Sequence, residues 1–243
     1  MQLKRYKKDF SHSYSFGIFP TLELLTHRPD KVLRVVAHSK GEVSEGIEEI
    51  RSKCGVLGVP FEVNDKLVDR LAHKGNVYVF AVFGKYDMAL QVGANHLLLV
   101  NPSDMGNLGT IIRTMLGFGV RDLALLRPAT DLFNPHVVRA SMGAVFALNA
   151  RYFDDLEAYQ SEMTSSRQLY PFMLDARSEL REVAFASPFT LVFGPEGPGL
   201  PKSYREVGES VLIPQDTLIE SLNLAVAVGI ALYEATRHTV AKR

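Results

Sequence analysis

Three stretches of this sequence combine residue types that do chemistry with the turns that would expose them. The first is Asn101-Pro102-Ser103-Asp104-Met105-Gly106-Asn107-Leu108-Gly109-Thr110-Ile111-Ile112-Arg113. Asn107 stands near a predicted helix start, where its side chain caps free N–H groups or contacts a ligand. Arg113 follows six residues later, roughly 9 Å along the axis and about a third of a turn out of phase, so the two do not face each other as neighbours: either they embrace a ligand at the helix start, or Asn107 only caps and Arg113 is a surface charge. The second stretch is Phe193-Gly194-Pro195-Glu196-Gly197-Pro198-Gly199-Leu200-Pro201. Its glycines let backbone approach a ligand, its prolines stiffen the turn, and the lone carboxylate of Glu196 suits a cationic or neutral ligand rather than phosphate. The third runs from Ile213-Pro214 through Ser221-Leu222-Asn223 into a helix predicted over residues 219–238. That helix would carry Ser221 and Asn223 near its start, followed by Ala225, Ala227, Gly229 and Ala231, small enough for close packing against another backbone.

The elements needed to position these loops are legible as an alternating pattern. Strands are predicted at 96–100, 122–126, 147–153, 169–174, 190–193 and 211–213, and helices at 106–117, 135–141 and 154–163. Such alternation predicts a mainly parallel sheet covered on both faces, with ligands at the carboxyl ends of its strands. Ahead of it, residues 1–86 read as a smaller α/β unit. Its predicted helices span 21–27, 43–57 (with Ser44 as a start) and 65–72 capped by Asn64, and its strands span 31–37, 61–63 and 77–83. The second domain is expected over 87–243.

Composition narrows the function classes. Lysine plus arginine balance aspartate plus glutamate at 27 each, and 47% of residues are hydrophobic, which excludes a disordered chain but not a local basic patch for nucleic acid. Basic residues gather at both ends: Lys4, Arg5, Lys7 and Lys8, then Arg237, Lys242 and Arg243. No apolar run reaches the roughly 20 residues of a membrane helix, so no membrane partner is expected. The N-terminal run lacks the apolar core of a signal peptide, and the single cysteine, Cys54, has no partner for a disulfide or a metal site. The expected compartment is the cytoplasm, and no metal is expected. Nucleoside-triphosphate, zinc-protease, nucleophile-elbow and dinucleotide fingerprints are all absent from the sequence.

Taken in order and spacing, the three stretches resemble the motifs of the SpoU branch of the SPOUT RNA methyltransferases. The resemblance covers roughly residues 97–238, and the first block resembles, more weakly, the small RNA-binding domain that precedes the catalytic domain in several ribosomal-RNA members. It implies an α/β fold: a C-terminal SPOUT domain with a parallel sheet and a deep trefoil knot, preceded by a small α/β RNA-binding domain. It implies S-adenosylmethionine as cofactor, held by Gly194, Gly199, Ile213 and Leu222, and methyl transfer to a ribose 2′-hydroxyl of structured RNA, ribosomal rather than transfer RNA. Arg113, Asn107, Glu196, Ser221 and Asn223 match the family's catalytic positions, and Arg139, in the recurring segment Arg139-Ala140-Ser141-Met142-Gly143-Ala144, either contacts RNA or belongs to a helix–Gly turn beneath the active site; Lys4 and Arg5, from the basic N-terminal run, are further candidate RNA contacts. A homodimer through the C-terminal domain is implied, compatible with the small-residue face of the last helix. The chain departs from the family pattern at Thr217, where Gly is usual, and at Ala225, where Ser is usual. The alternative, an RNA-binding protein with an inactive SPOUT domain, rests on those two positions; base methylation would suit the cofactor but not a ribose-directed Arg113.

Overall fold

In the computed structural model of the chain, residues 3–41, 44–72, 76–163 and 167–238 are described. The predicted helix start at Val43 and the basic residues Lys242 and Arg243 lie outside them. The chain divides into two compact units, Met1–Tyr86 with Asp131–Ala147, and Asp87–Thr130 with Leu148–Arg243.

In the first unit, strands β1 (His12–Phe16), β2 (Val32–Ala37), β3 (Phe61–Val63) and β4 (Val79–Gly84) form a sheet in the order β1-β4-β2-β3. Only β2 and β3 run parallel. Helices α1 (Ile18–His27), α2 (Glu45–Leu57) and α3 (Asp65–Leu71) complete it. Asn64 caps α3 as expected, its side chain accepting from Leu67 N at 3.1 Å. Strand β1 has no counterpart among the sequence expectations, because His-Ser-Tyr-Ser-Phe buries its serines as well as its tyrosine. Ser13 and Ser15 are inaccessible to solvent and are satisfied by Phe133 O and by Thr21.

The second unit opens with β5 (His96–Val100), α4 (Met105–Gly117) and β6 (Asp122–Leu126). Helix α5 (Pro135–Ala140) then belongs to the first unit, a difference from the expected division at residue 86. The reason is packing: Phe133 lies against the rings of Phe83 and Tyr86, Asp131 pairs with Lys85 at 2.9 Å, and α5 contacts β1. The second unit continues with β7 (Asn149–Phe153), α6 (Leu156–Glu162), β8 (Gln168–Pro171), β9 (Ser178–Glu179), β10 (Phe189–Phe193), β11 (Val211–Leu212) and α7 (Leu224–Thr236).

Five of these strands form an all-parallel sheet in the order β7-β6-β5-β10-β8, and β9 pairs with β11 apart from it. Every residue of β5, β6 and β10 is buried, as expected for strands covered on both faces. Burial of each leucine from Leu97 to Leu99 contributes about 1.5–3 kcal/mol. Because β5 and β10 are parallel neighbours, the 101–104 and 194–201 loops leave the same edge of the sheet, side by side. No helix of the described residues is long and apolar enough to cross a membrane.

Helix α7 starts at Leu224, not at residue 219. Residues 216–219 turn instead, with Asp216 accepting from Leu218 N at 2.9 Å, and Asn223 caps the helix through Ala225 N at 2.9 Å and Val226 N at 3.4 Å. Ser221 therefore stands in the loop ahead of α7. The small residues of α7 pack within the unit: Gly229 faces Thr114, and α7 lies along α4.

Candidate active site

The loops at the carboxyl ends of β5 and β10 and the loop entering α7 converge through one chain of hydrogen bonds. Asn223 commits its carbonyl oxygen to the α7 cap, which leaves its amide Nδ2 to donate to Asn107 Oδ1 at 3.0 Å. Asn107 in turn donates from Nδ2 to Glu196 Oε1 at 3.1 Å, and Ser103 Oγ donates to Glu196 Oε2 at 3.3 Å. Both ends of the chain fix its direction, since a helix terminus offers only N–H groups and a carboxylate only accepts. Asn107 itself does not cap α4, contrary to one sequence reading. Asp104 does, accepting from Asn107 N at 2.6 Å, and this frees the Asn107 side chain for the site.

Glu196 owes its position to the glycines around it. A Cβ on Gly194 would meet the backbone of Gly199 and Leu200 at 2.4 Å, so the loop folds back on itself at a distance only glycine allows. Gly199 N donates to Pro195 O at 3.2 Å and closes the turn.

These loops border a cavity of about 630 Å³, within the range of small-molecule sites. Asn107, Glu196, Ser221 and Asn223 line it, as do Gly194, Gly199, Ile213 and Leu222. Its apolar side includes Phe172 and Phe193, stacked at 4.4 Å and 8°, with Met173 and Val211. Phe172, Met173 and Asp104 are lining residues that sequence reading missed. The aromatic and methionine sit after a short strand, where they are indistinguishable from ordinary core residues. The arrangement offers an apolar side, a glycine-rich backbone and the carboxylate of Glu196 held by Asn107 and Ser103, a set that fits a molecule joining a planar heterocycle to a cationic centre. Among the described residues no group of His, Cys, Asp or Glu is placed to hold a metal ion.

Arg113 is not part of this lining. It is exposed on α4 and has no hydrogen bond or ion pair with any described residue. Within one chain the expected embrace by Asn107 and Arg113 is not formed, because Asn107 turns toward Glu196 while Arg113 points to solvent. Arg139, Lys4 and Arg5 belong to the first unit and are exposed there. Thr217 is not among the non-glycine residues with positive φ, which are Asn76, Asn101 and Met142, so its loop has no need of glycine. Ala225 is buried behind the Asn223 cap.

The chain is similar to several known proteins. An uncharacterized tRNA/rRNA methyltransferase of Synechocystis sp. is 38% identical over 143 residues, 58% of this chain and 52% of the relative, so the chain spans about half the length of that curated protein. A 23S rRNA (guanosine-2'-O-)-methyltransferase of Pectobacterium atrosepticum is 26% identical over 237 residues, covering 91% of this chain and 96% of its own. A crystal structure of an AdoMet-bound rRNA methyltransferase from Sinorhizobium meliloti matches with a TM-score of 0.78 at 29% identity, over 95% of this chain and 89% of that one. The model of the SpoU rRNA Methylase family matches residues 94–233, more than half of the sequence and all three site loops, and the chain belongs to that family.

Proposed function

We propose that this protein transfers a methyl group from S-adenosylmethionine to a ribose 2′-hydroxyl of structured RNA, ribosomal RNA before transfer RNA. The observation that carries the reading is the convergence of Asn107, Glu196 and Asn223, from three distant segments, on one hydrogen-bonded cluster beside an apolar cavity. Family membership and the ribose-directed names of relatives support the substrate, and the cytoplasm, where ribosomal RNA is assembled, is the compartment that follows.

When bound, S-adenosylmethionine supplies a methyl group already activated by a sulfonium, so no metal is required. Gly194, Gly199, Ile213 and Leu222 would hold it through backbone groups and apolar contact, with Phe172 and Phe193 beneath. Glu196, kept in place by Asn107 and Ser103, would face its positive charge. Ser221 and Asn223 complete the polar rim. The chain's task is to align the hydroxyl with the methyl carbon and to ease loss of the hydroxyl proton to water. Arg113 is too basic to take that proton. It would orient the ribose or its phosphate and stabilise the developing alkoxide.

A second copy supplies the missing geometry. Val226, Ile230 and Tyr233 leave an apolar stripe exposed on α7, at a spacing that puts them on one face. Helix α7 packs on α4, which carries the unpartnered Arg113. Pairing of two copies through α7 would bury the stripe and bring Arg113 to a site from across the boundary. The deep trefoil knot is proposed on family membership and on the 194–200 and 213–223 segments sharing one cavity. The first unit, with Arg139, Lys4 and Arg5, is proposed as the RNA-binding part.

The test is mass-spectrometric mapping of ribose methylation on ribosomal-RNA transcripts incubated with the chain and labelled cofactor. A new 2′-O-methyl mark is the expected result, and a methylated base would overturn the ribose assignment. No binding of S-adenosylmethionine at millimolar concentration by calorimetry would favour the inactive RNA-binding alternative.

A further inference from the structure

The basic segment ahead of β1 is held unlike a tail. Leu3 is buried in the core cluster formed with Tyr14, Val36, Val68, Leu71, Phe80 and Val82. Backbone carbonyls along the segment are taken up one after another. Leu3 O accepts from Arg70 at 3.3 Å, Lys4 O from the Tyr14 hydroxyl at 2.5 Å, Lys7 O from Phe10 N at 3.1 Å, and Lys8 O from Lys85 Nζ at 2.8 Å. The Tyr6 hydroxyl reaches Asp131, whose carboxylate also pairs with Lys85, and the Lys85 ammonium lies over the Tyr6 ring. Yet Lys4, Arg5, Lys7 and Lys8 are all exposed, and none of their side chains has a hydrogen bond or an ion pair with a described residue. Asp9 is the only carboxylate in the run. Beyond it Phe10 stacks on His12, ring centroids 5.0 Å apart.

A solubilising tail needs no such anchorage. Fixing backbone costs conformational entropy at every residue, and here burial and hydrogen bonds offset that cost while the cations stay unpaired. We propose that residues 4–10 form a preordered strap that binds the phosphate backbone of structured RNA, four cations set at fixed spacing beside an aromatic pair. The inference deepens the proposed function and rests on its reading of RNA as the substrate. Held in place beforehand, the strap binds without the entropy loss of ordering a flexible tail.

The experiment measures affinity of the full chain for a structured ribosomal-RNA transcript over a range of salt concentrations. The K4Q/R5Q/K7Q/K8Q variant is expected to weaken binding at least about tenfold and to flatten the salt slope by about 2–4, at roughly 0.7–0.9 for each phosphate no longer neutralised. These are surface changes, and the thermal midpoint and cofactor affinity should hold. Y14F keeps every charge but loses the anchor at Lys4, so it should keep the slope while weakening binding a few-fold. A quadruple variant with the wild-type slope overturns the proposal, as does loss of binding confined to anionic phospholipid vesicles. Wild-type affinity in Y14F reduces the strap to a charged tail and overturns it equally. The outcomes separate from those of the activity. A chain whose steep slope depends on the strap but which methylates nothing keeps this inference and loses the proposed reaction, while methylation with an unaltered slope does the reverse.

Discussion

Asn223 serves two masters, the start of α7 and the Asn107 amide that holds Glu196, and the two duties respond differently to substitution. Asn223→Asp keeps an acceptor for Ala225 N and Val226 N, so the helix remains capped and unfolding in urea should change by less than about 1 kcal/mol. The new carboxylate cannot donate to Asn107. The Asn107 amide then turns its N–H groups toward it and its oxygen toward Glu196, which loses a charge-assisted hydrogen bond. Methyl transfer should fall about 10–100-fold, the worth of such a bond. Asn223→Ala should instead cost about 1 kcal/mol of stability as well. Equal stability loss in both variants, or full activity of the first, would break this account. Gly194→Ala makes a sharper demand: its methyl would lie 2.4 Å from backbone, and backbone cannot step aside as a side chain can. Cofactor binding by calorimetry should be lost, with about 1–3 kcal/mol of destabilisation. The identities of Asn107, Glu196, Gly194 and Asn223 were readable from residue type and motif order. The direction of their hydrogen bonds was not, because it depends on Asp104 capping α4 in place of Asn107, and both residues are plausible caps in sequence.

At the amino end of the parallel sheet, elements are tied by a polar network remote from the site. His96 Nε2 donates to Gln91 O at 2.8 Å, which makes Nδ1 the acceptor for the Tyr159 hydroxyl at 2.8 Å. Tyr159 is joined in turn to Thr190 at 2.7 Å, and Thr190 accepts from Arg167 at 3.0 Å. Burial, and then the Arg167 guanidinium, push His96 down to about 4 from 6.5. Below 6.5 the unfolded chain takes up a proton that the folded chain refuses, so stability present at neutral pH is lost as pH falls from about 6.5 toward 4. The loss should approach roughly 3 kcal/mol at the low end, read as a falling urea midpoint. Asp122, raised by burial, works in the opposite direction. His96→Gln should flatten the profile; an unchanged one would show that the imidazole is not the titrating group. Element types along the chain were largely legible, since leucine-rich runs such as β5 leave little choice. The exceptions are physical: β1 hides polar serines inside the sheet, and α7 yields its first predicted turn to the Asp216 turn and the Asn223 cap.

At the scale of the whole molecule the decisive residue is Arg113, which the family resemblance placed at the chemistry and which the single chain leaves in solvent. Spacing along a helix reports only what one chain can bring together, whereas the α7 stripe of Val226, Ile230 and Tyr233 is a feature of packing, visible only once Val228 and Leu232 are seen buried and the opposite face is left bare. If two copies pair through that stripe by a two-fold axis, Ile230→Glu should give monomers in sedimentation and abolish methyl transfer without unfolding the chain. A mixing experiment then locates Arg113. Arg113→Ala and Glu196→Ala are each expected to be inactive alone. Unfolded together and refolded as a mixture, they form mixed pairs in which one cavity keeps its Glu196 and receives an intact Arg113 from the other copy. Random pairing with one competent site in each mixed pair predicts recovery of about a quarter of wild-type activity. A site built wholly within one chain predicts none, because every cavity in the mixture would then lack either its arginine or its carboxylate. Recovery in the mixture, set against its absence in either variant refolded by itself, therefore decides whether the reaction belongs to the chain or to the pair.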